Sequence, residues 1–254
     1  MATQVKIALV TGGSRGLGRD MALSLADIGI DVILTYHSNR AEAEQVVSDI
    51  EAKGRWATAL QLDTGKVGTF AAFYDRVEQY LQAETGQGKF DYLVNNAGVA
   101  LYQPIAETTE ESFDNIINIH YKGVVFLTKQ ALPLLNDGGG IVNISSGLAR
   151  FALPGSAVYG SAKGAIEVFT RYLAKELGNR KIRANTVAPG AIATDFGGGR
   201  VRDNAQMNQH VSNMTALGRV GQAEDIGSIV AFLCSEGGRW INGQRIEASG
   251  GMML

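Results

Sequence analysis

The sequence predicts an α/β protein in which strands and helices alternate along one chain. Three observations carry that expectation. A strand run, a glycine-rich turn and a helix pattern open the chain between Val5 and Gly29. Apolar strand runs and helix-period runs then alternate as far as Ala248, the order expected of βαβ units. Glycine is plentiful at 32 while proline is scarce at 4, which fits many tight strand–helix turns better than a Pro-rich linker.

Composition narrows the class. At 254 residues, with no internal repeat and no linker, the chain reads as one domain over residues 1–254. A hydrophobic content of 45% with 19% charged residues is that of a globular protein with a substantial core. The net charge of −2 offers no basic field for nucleic acid or an anionic membrane. Met1-Ala2-Thr3-Gln4 runs straight into an apolar strand, so neither a secretory leader nor a bilayer span is expected there. Cys234 is the only cysteine, which rules out an intrachain disulfide and fits a cytoplasmic address.

Val5 to Val10 reads as a buried strand, followed by Thr11-Gly12-Gly13-Ser14-Arg15-Gly16-Leu17-Gly18. A helix pattern then runs through Leu17, Met21, Leu25 and Ile28 and stops at Gly29. Small residues let a backbone approach a pyrophosphate, and the helix start offers unpaired N–H groups and a positive dipole end. That context predicts dinucleotide binding, although glycine also simply makes turns. The next strand, Val32 to Tyr36, ends where an NAD-binding fold usually places an acid on the adenosine ribose. Here Tyr36-His37-Ser38-Asn39-Arg40 carries no carboxylate, and Arg15 lies in the first loop. Guanidinium groups bind a 2′-phosphate bidentately, so NADP is favoured over NAD. Arg15 and Arg40 read equally as solvated surface cations, Arg40 above all.

A helix from Ala41 to Lys53 leads to the strand Ala57 to Leu62, closed by Asp63-Thr64. Phe70, Phe73, Tyr74, Val77 and Leu81 recur at helical spacing between Val67 and Ala83 and read as core. The strand Phe90 to Val94 ends in Asn95-Asn96-Ala97-Gly98, at the edge where α/β sheets bind ligands. These amides could instead satisfy a local turn. Glu110 to Leu135 reads as one long helix bent or ended near Pro133, with His120 in its middle. Asn136 to Gly140 reads as a turn into the strand that ends at Ser145-Ser146. Lys181 to Val187 reads as another strand, closed by Ala188-Pro189-Gly190. Residues from about 191 to 217 are polar, glycine-rich and weakly periodic, and read as a mobile flap carrying Phe196, Met207 and Met214. A helix from Glu224 to Leu233 and a strand from Gln244 to Ala248 follow.

Tyr159-Gly160-Ser161-Ala162-Lys163 opens a further helix pattern, and residues four apart share one helical face. An ammonium about 4 Å from a phenol, at an effective dielectric near 20, stabilises the phenolate by roughly 4 kcal/mol, or about 3 pKa units. That would bring Tyr159 near neutrality, where a general acid works best. Tyr-x-x-x-Lys also arises by chance on many helices.

In order along the chain, these motifs resemble the short-chain dehydrogenase/reductase family, and the likeness spans essentially the whole sequence. The resemblance implies a Rossmann-type, doubly wound parallel sheet of about seven strands with helices on both faces. It implies that Gly12, Ser14, Gly16, Leu17 and Gly18 form the phosphate turn, with Arg15, Tyr36, His37 and Ser38 at the adenosine end. Asp63 and Thr64 would meet adenine, Asn95 would brace the sheet beside Ala97 and Gly98, and Pro189, Gly190, Ile192 and Thr194 would cover the nicotinamide. Ser146, rather than Ser145, has the spacing to hold the substrate carbonyl. Tyr159 would donate the proton, while Lys163 would lower its pKa and bind the nicotinamide ribose. No metal cluster is visible, since His37, His120 and His210 are scattered.

Two departures stand out. The family usually has asparagine where this chain has His120, so the imidazole is either a proton relay or a packing residue. It titrates near 6.5 unless perturbed, and an ammonium at Lys163 would depress it. The turn before the serine strand, Asn136-Asp137-Gly138, lacks the basic residue of 3-oxoacyl-carrier-protein reductases, although Arg180 and Lys181 occupy another docking surface. The leading expectation is an NADPH-dependent reductase of small or medium apolar ketones or aldehydes. A 3-oxoacyl thioester reductase and a non-catalytic dinucleotide sensor remain as alternatives. Surplus apolar positions, including Val124, Val125, Val168 and Phe169, predict a homo-oligomer, and the resemblance makes it a tetramer.

Overall fold

The computed structural model describes residues 5–254, so the expectations for Met1 to Gln4 lie outside the described residues. Seven parallel strands form one sheet in the order β3-β2-β1-β4-β5-β6-β7. They are β1 (Ile7–Val10), β2 (Asp31–Tyr36), β3 (Ala57–Gln61), β4 (Phe90–Asn95), β5 (Leu135–Ile144), β6 (Arg183–Pro189) and β7 (Arg245–Ala248). Strand order reverses between β1 and β4, which opens a crevice at their carboxyl ends, the usual ligand position in such sheets.

Two apolar clusters explain the layering. One joins β1 and β2 to α1 (Gly16–Asp27), α2 (Arg40–Glu51) and α9 (Glu224–Leu233), through Met21, Leu25, Val46, Ile50, Ile226 and Val230. The other joins the opposite sheet face to α3 (Phe70–Thr85), α5 (Gly123–Ala131) and α6 (Ala157–Glu176), through Phe70, Phe73, Leu81, Leu127 and Leu173. The aromatics of α3 are therefore core, as their spacing predicts. Burying a side chain of this size contributes roughly 1.5–3 kcal/mol, so the helices are held by their apolar faces. No helix among the described residues is long and apolar enough to cross a membrane.

The structure departs from the sequence reading in four places. The expected helix from Glu110 to Leu135 is three pieces: α4 (Glu110–Ile117), a π turn over Asn118–Lys122, and α5. Leu135 already belongs to β5, because Pro133 cannot continue the helical ladder. Asn136 to Gly140 lies within β5 at a register shift against β4, so the glycines mark a bulge and not a separate turn. Lys181 sits outside β6 in a left-handed turn at φ 57°. The supposed flap contains two helices, α7 (Arg200–Asp203) and α8 (Ala205–Asn213). The Asn204 side chain caps α8 by accepting from Met207 N–H, a signal hidden among the polar residues. Beneath them a third apolar cluster gathers Val211, Val220 and Met252 with Phe151, Met207 and Met214 packed against it.

A polar seam crosses the sheet centre. Asn95 on β4 donates to Asn143 Oδ1 on β5 (2.8 Å) and to Thr128 Oγ1 on α5 (3.1 Å). Asn143 in turn donates to Thr170 Oγ1 on α6 at 2.9 Å. These buried bonds fix α5 and α6 against the strand that ends in Ser145-Ser146, which sets where Tyr159 stands.

Candidate active site

The crevice is a cavity of about 820 Å³ running from the glycine turn to α8. Its walls include every candidate residue of the sequence reading except Asn95, whose amide is spent on the central seam. Asn95 is thus a bracing residue and does not line the cofactor crevice.

At one end the turn after β1 is strapped to both neighbouring strands. Thr11 Oγ1 accepts from Asn96 N–H and Ala97 N–H, each at 3.0 Å, and Thr35 Oγ1 accepts from Gly12 N–H at 3.1 Å. Gly12 adopts φ +65°, and a Cβ on Gly18 would collide with the Gly12 carbonyl oxygen. Only glycine lets the first turn of α1 pack so close. Arg15 occupies the cap position without a side-chain cap bond, and the first turn holds no acid. The N–H groups there therefore face the crevice unopposed, as a pyrophosphate requires.

The adenosine end has no carboxylate at the tip of β2. Tyr36, His37 and Ser38 line it, with Asp63 and Thr64 from beyond β3. His37 Nε2 lies 3.6 Å from Asp63 Oδ2, and Asp63 accepts from Gly65 N–H at 2.9 Å. Sequence reasoning missed Glu42 on the first turn of α2, which also lines this end and keeps a buried Oε2 without a hydrogen-bond partner. Its only sequence signal is its place three residues after the capping Asn39. Arg15 stands exposed on the loop side, away from any carboxylate ion pair among the described residues.

At the far end of β5, Ser146 and Tyr159 line the same stretch of the crevice, with the serine near enough to favour ionisation of the phenol, while its Oγ accepts from Leu148 N–H at 3.2 Å. Ser145 is turned away, its hydroxyl donating to Glu167 Oε1 at 2.7 Å, so the geometry separates the two serines as the spacing did. Glu167 is also held by Arg245, whose guanidinium reaches Glu247 at 2.7 Å and the Ser146 carbonyl at 3.4 Å. That ion network clamps the serine's backbone from behind. Lys163 lies one helical turn below Tyr159, with Nζ 5.6 Å from the ring centroid.

The electrostatics correct the sequence reading. Burial pushes the Tyr159 phenol up, opposed only in part by the neighbouring Ser146 hydroxyl. Desolvation instead falls on the lysine, whose pKa drops to about 7. An ammonium that is itself buried loses more hydration than the simple Coulomb estimate allowed for. The phenol is therefore a held proton donor and not a half-ionised one.

His120 stands on the π turn with its ring edge-on to Tyr159, centroids 5.1 Å apart. Nε2 lies 2.8 Å from the Val99 carbonyl oxygen and 3.1 Å from Val99 N–H. One tautomer cannot serve both, and the closer carbonyl requires Nε2 to carry the proton. Nδ1 is then an acceptor, buried and without a protein partner. Burial first, and the Lys163 charge second, lower the imidazole pKa to about 3, so it stays neutral. Gly98 makes room for it, since a Cβ there would lie 2.5 Å from His120 Cε1.

The remaining wall combines the apolar and aromatic Tyr102, Phe151, Phe196, Met207, Met214 and Met252 with the polar Asp195, Arg200 and His210. Tyr102, Phe151 and Met252 escaped the sequence reading. Tyr102 had a signal, lying just past the Asn-Asn-Ala-Gly run, whereas Met252 arrives through long-range folding alone.

Fold and site together define an NADP-dependent oxidoreductase that acts on a carbonyl or its alcohol. A family model described as enoyl-(acyl carrier protein) reductase matches residues 12–253. A short-chain dehydrogenase/reductase of Pestalotiopsis microspora is 37% identical over 256 residues, covering 97% of this chain and 94% of the relative. The promiscuous reductase LugOII, which catalyses keto-reduction at C1 in lugdunomycin biosynthesis, superposes with a TM-score of 0.93 at 39% identity over 98% of each chain. The angucycline C-6 ketoreductase LanV, solved with bound NADP, gives 0.93 at 37% identity, covering 98% of this chain and 96% of its own. The chain belongs to the short-chain dehydrogenase/reductase family.

Proposed function

We propose that this protein reduces an apolar ketone or aldehyde to the alcohol with NADPH, reversibly, through Ser146, Tyr159 and Lys163. The observation that carries the reading is the meeting of these three groups at one wall of a cavity whose other end is shaped for a dinucleotide. The glycine turn and the β2 tip would hold NADPH, whose chemistry there would be to supply the hydride that the carbonyl carbon accepts. The Ser146 hydroxyl orients the carbonyl oxygen, and the Tyr159 O–H gives its proton to that oxygen as negative charge develops there. Burial keeps the phenol protonated until that moment, which suits the reducing direction. Lys163 then stabilises the phenolate by charge and offers N–H donors to the ribose hydroxyls. His120 serves as a neutral acceptor at Nδ1 that extends the proton path, its ring holding Tyr159 in place. Positioning by these groups, with water displaced by the apolar wall, supplies most of the acceleration.

The cofactor fits what the chain offers: an N–H-rich helix start, a β2 tip free of acid, and an unpaired Arg15. Helices α7 and α8 act as the flap over the substrate. Of the surplus positions read from the sequence only Val168 is exposed, beside Phe113, Phe126 and Tyr172 on α4, α5 and α6, whereas Val124 and Val125 are half-buried and Phe169 packs against the core. We accordingly propose a homotetramer built on these faces, with the cytoplasm as its compartment.

The carrier-protein reading is weakened by one observation. Arg180 is turned inward, bonding Asp137 at 2.7 Å and the carbonyl oxygen of Leu132 at 2.7 Å, so it offers little to an acidic carrier. A panel of aromatic and aliphatic ketones, aldehydes and a 3-oxoacyl thioester, scored by loss of NADPH absorbance, tests the proposal. Turnover of simple ketones supports it, thioester-only turnover selects the carrier reading, and no turnover of any carbonyl leaves a dinucleotide sensor.

A further inference from the structure

We propose that the substrate carries an anionic group, a carboxylate in the simplest case, on an aromatic body, and that Arg200 binds it. This rests on the reductase reading and narrows its substrate from a wholly apolar ketone to one with an apolar body and an anionic end. Arg200 opens α7 and lines the cavity, its guanidinium 5.2 Å from the centroid of the Tyr102 ring. Phe196, four residues before Arg200, stands with its ring centroid 6.1 Å from that of Tyr159, so the segment that carries this cation reaches the proton donor. A substrate placed with its carbonyl on Tyr159 and Ser146 and its body along Tyr102 ends at Arg200.

The surroundings explain why the charge is available. Arg202, two residues on, is spent on Asp195 and on Asp203 (2.7 Å). Asp195, the acid of this wall, is thereby neutralised. Among the described residues the exposed Arg200 has no acidic partner, while Phe151, Phe196, Met207 and Met214, which line the same cavity, are apolar. A cation lining this cavity adds nothing for a purely apolar ketone, whereas its place over the Tyr102 ring, with no acid paired to it, leaves its N–H groups to a bidentate acceptor. His210, on α8, lines the same cavity and adds a second potential donor.

The test uses isosteric pairs of two lengths: para-acetylbenzoate with para-acetylbenzamide, and the corresponding acetylbiphenyl acid with its amide. Calorimetry on the protein–NADP⁺ complex measures binding, and NADPH consumption measures turnover. The acid of at least one pair should bind about tenfold or more tightly than its amide, the range of a charge-assisted bidentate contact. In Arg200→Gln the acid/amide ratio should fall to near unity, while Arg200→Lys should keep part of it, and added salt should shrink it in the wild type. Equal or inverted ratios in the wild type for both pairs, or a preference that survives Arg200→Gln, would overturn the assignment. Acid-selective binding with no turnover of any ketone would leave Arg200 as the anion reader and sink the reductase reading alone.

Discussion

The Lys163 ammonium donates to the carbonyl oxygen of Ile144 at 2.7 Å, tying the helix of Tyr159 to the strand that delivers Ser146. One side chain thus sets the relative position of the two groups that hold the substrate oxygen. Tyr159→Phe removes only the proton donor, so turnover should drop by about 10²–10⁴-fold while NADPH binding persists. Lys163→Ala should lower both. Stopped-flow turnover with fluorescence titration of NADPH checks the pair, and near-normal turnover by Tyr159→Phe would remove the acid from the mechanism.

Burial of that lysine has a stability consequence with a definite sign. Its folded pKa is about 7, below the unfolded value of 10.5. Between these limits the unfolded chain binds the extra proton, so stability rises with pH across that window and the cost is fully present below pH 7. Lys163→Met should therefore raise Tm at pH 6–7, with the gain shrinking towards pH 10. A gain that grows with pH in thermal melts would contradict the burial argument.

The imidazole of His120 is held neutral, with its pKa lowered to about 3, so it contributes no limb to the pH–rate profile between 5 and 9. His120→Asn, which can also donate and accept, should preserve the profile and most of the rate. His120→Ala should slow turnover by about tenfold or more. Unchanged rates in both variants would make it a packing residue.

Cofactor choice should respond to two opposed charges. Arg15→Ala should weaken NADPH by about tenfold or more while touching NADH little, as loss of a charge-assisted phosphate contact does. Glu42→Gln should act in the opposite sense, favouring NADPH, because it removes a carboxylate lining the adenosine end. Parallel titrations of both reduced cofactors decide it, and equal losses in Arg15→Ala would reassign the arginine to the solvent.

Local chemistry made much of this readable in advance. The glycine turn, the polar tip of β2 and the Tyr159–Lys163 spacing are short-range signals, and each occupies the cavity where it was expected. What stayed hidden depends on distant partners. Glu110 to Leu135 is apolar-periodic enough for one helix, and nothing in that periodicity marks an extra residue in a turn. The phenol's behaviour was misjudged because two isolated charges in a uniform medium omit desolvation, which dominates once Tyr159 and Lys163 are both buried. Tyr102 and Met252 join the wall by folding from separate regions, and α8 hid in a polar stretch whose one cue was the Asn204 cap.

The π turn at Asn118–Lys122 makes the placement of His120 a matter of frame as well as of residue type. A regular helix advances about 100° per residue, so one surplus residue in the turn rotates α4 and α5 against each other by about that angle. Deleting a single residue here would let the backbone close into a continuous helix. Ile116 and Leu127 could then no longer both face the core while the imbedded imidazole faced Tyr159. Exchange of His120 for another side chain therefore probes its chemistry, whereas a one-residue indel probes its aim. Homologous chains differing in length at this point would present different atoms to the same tyrosine even with an identical residue at the aligned position.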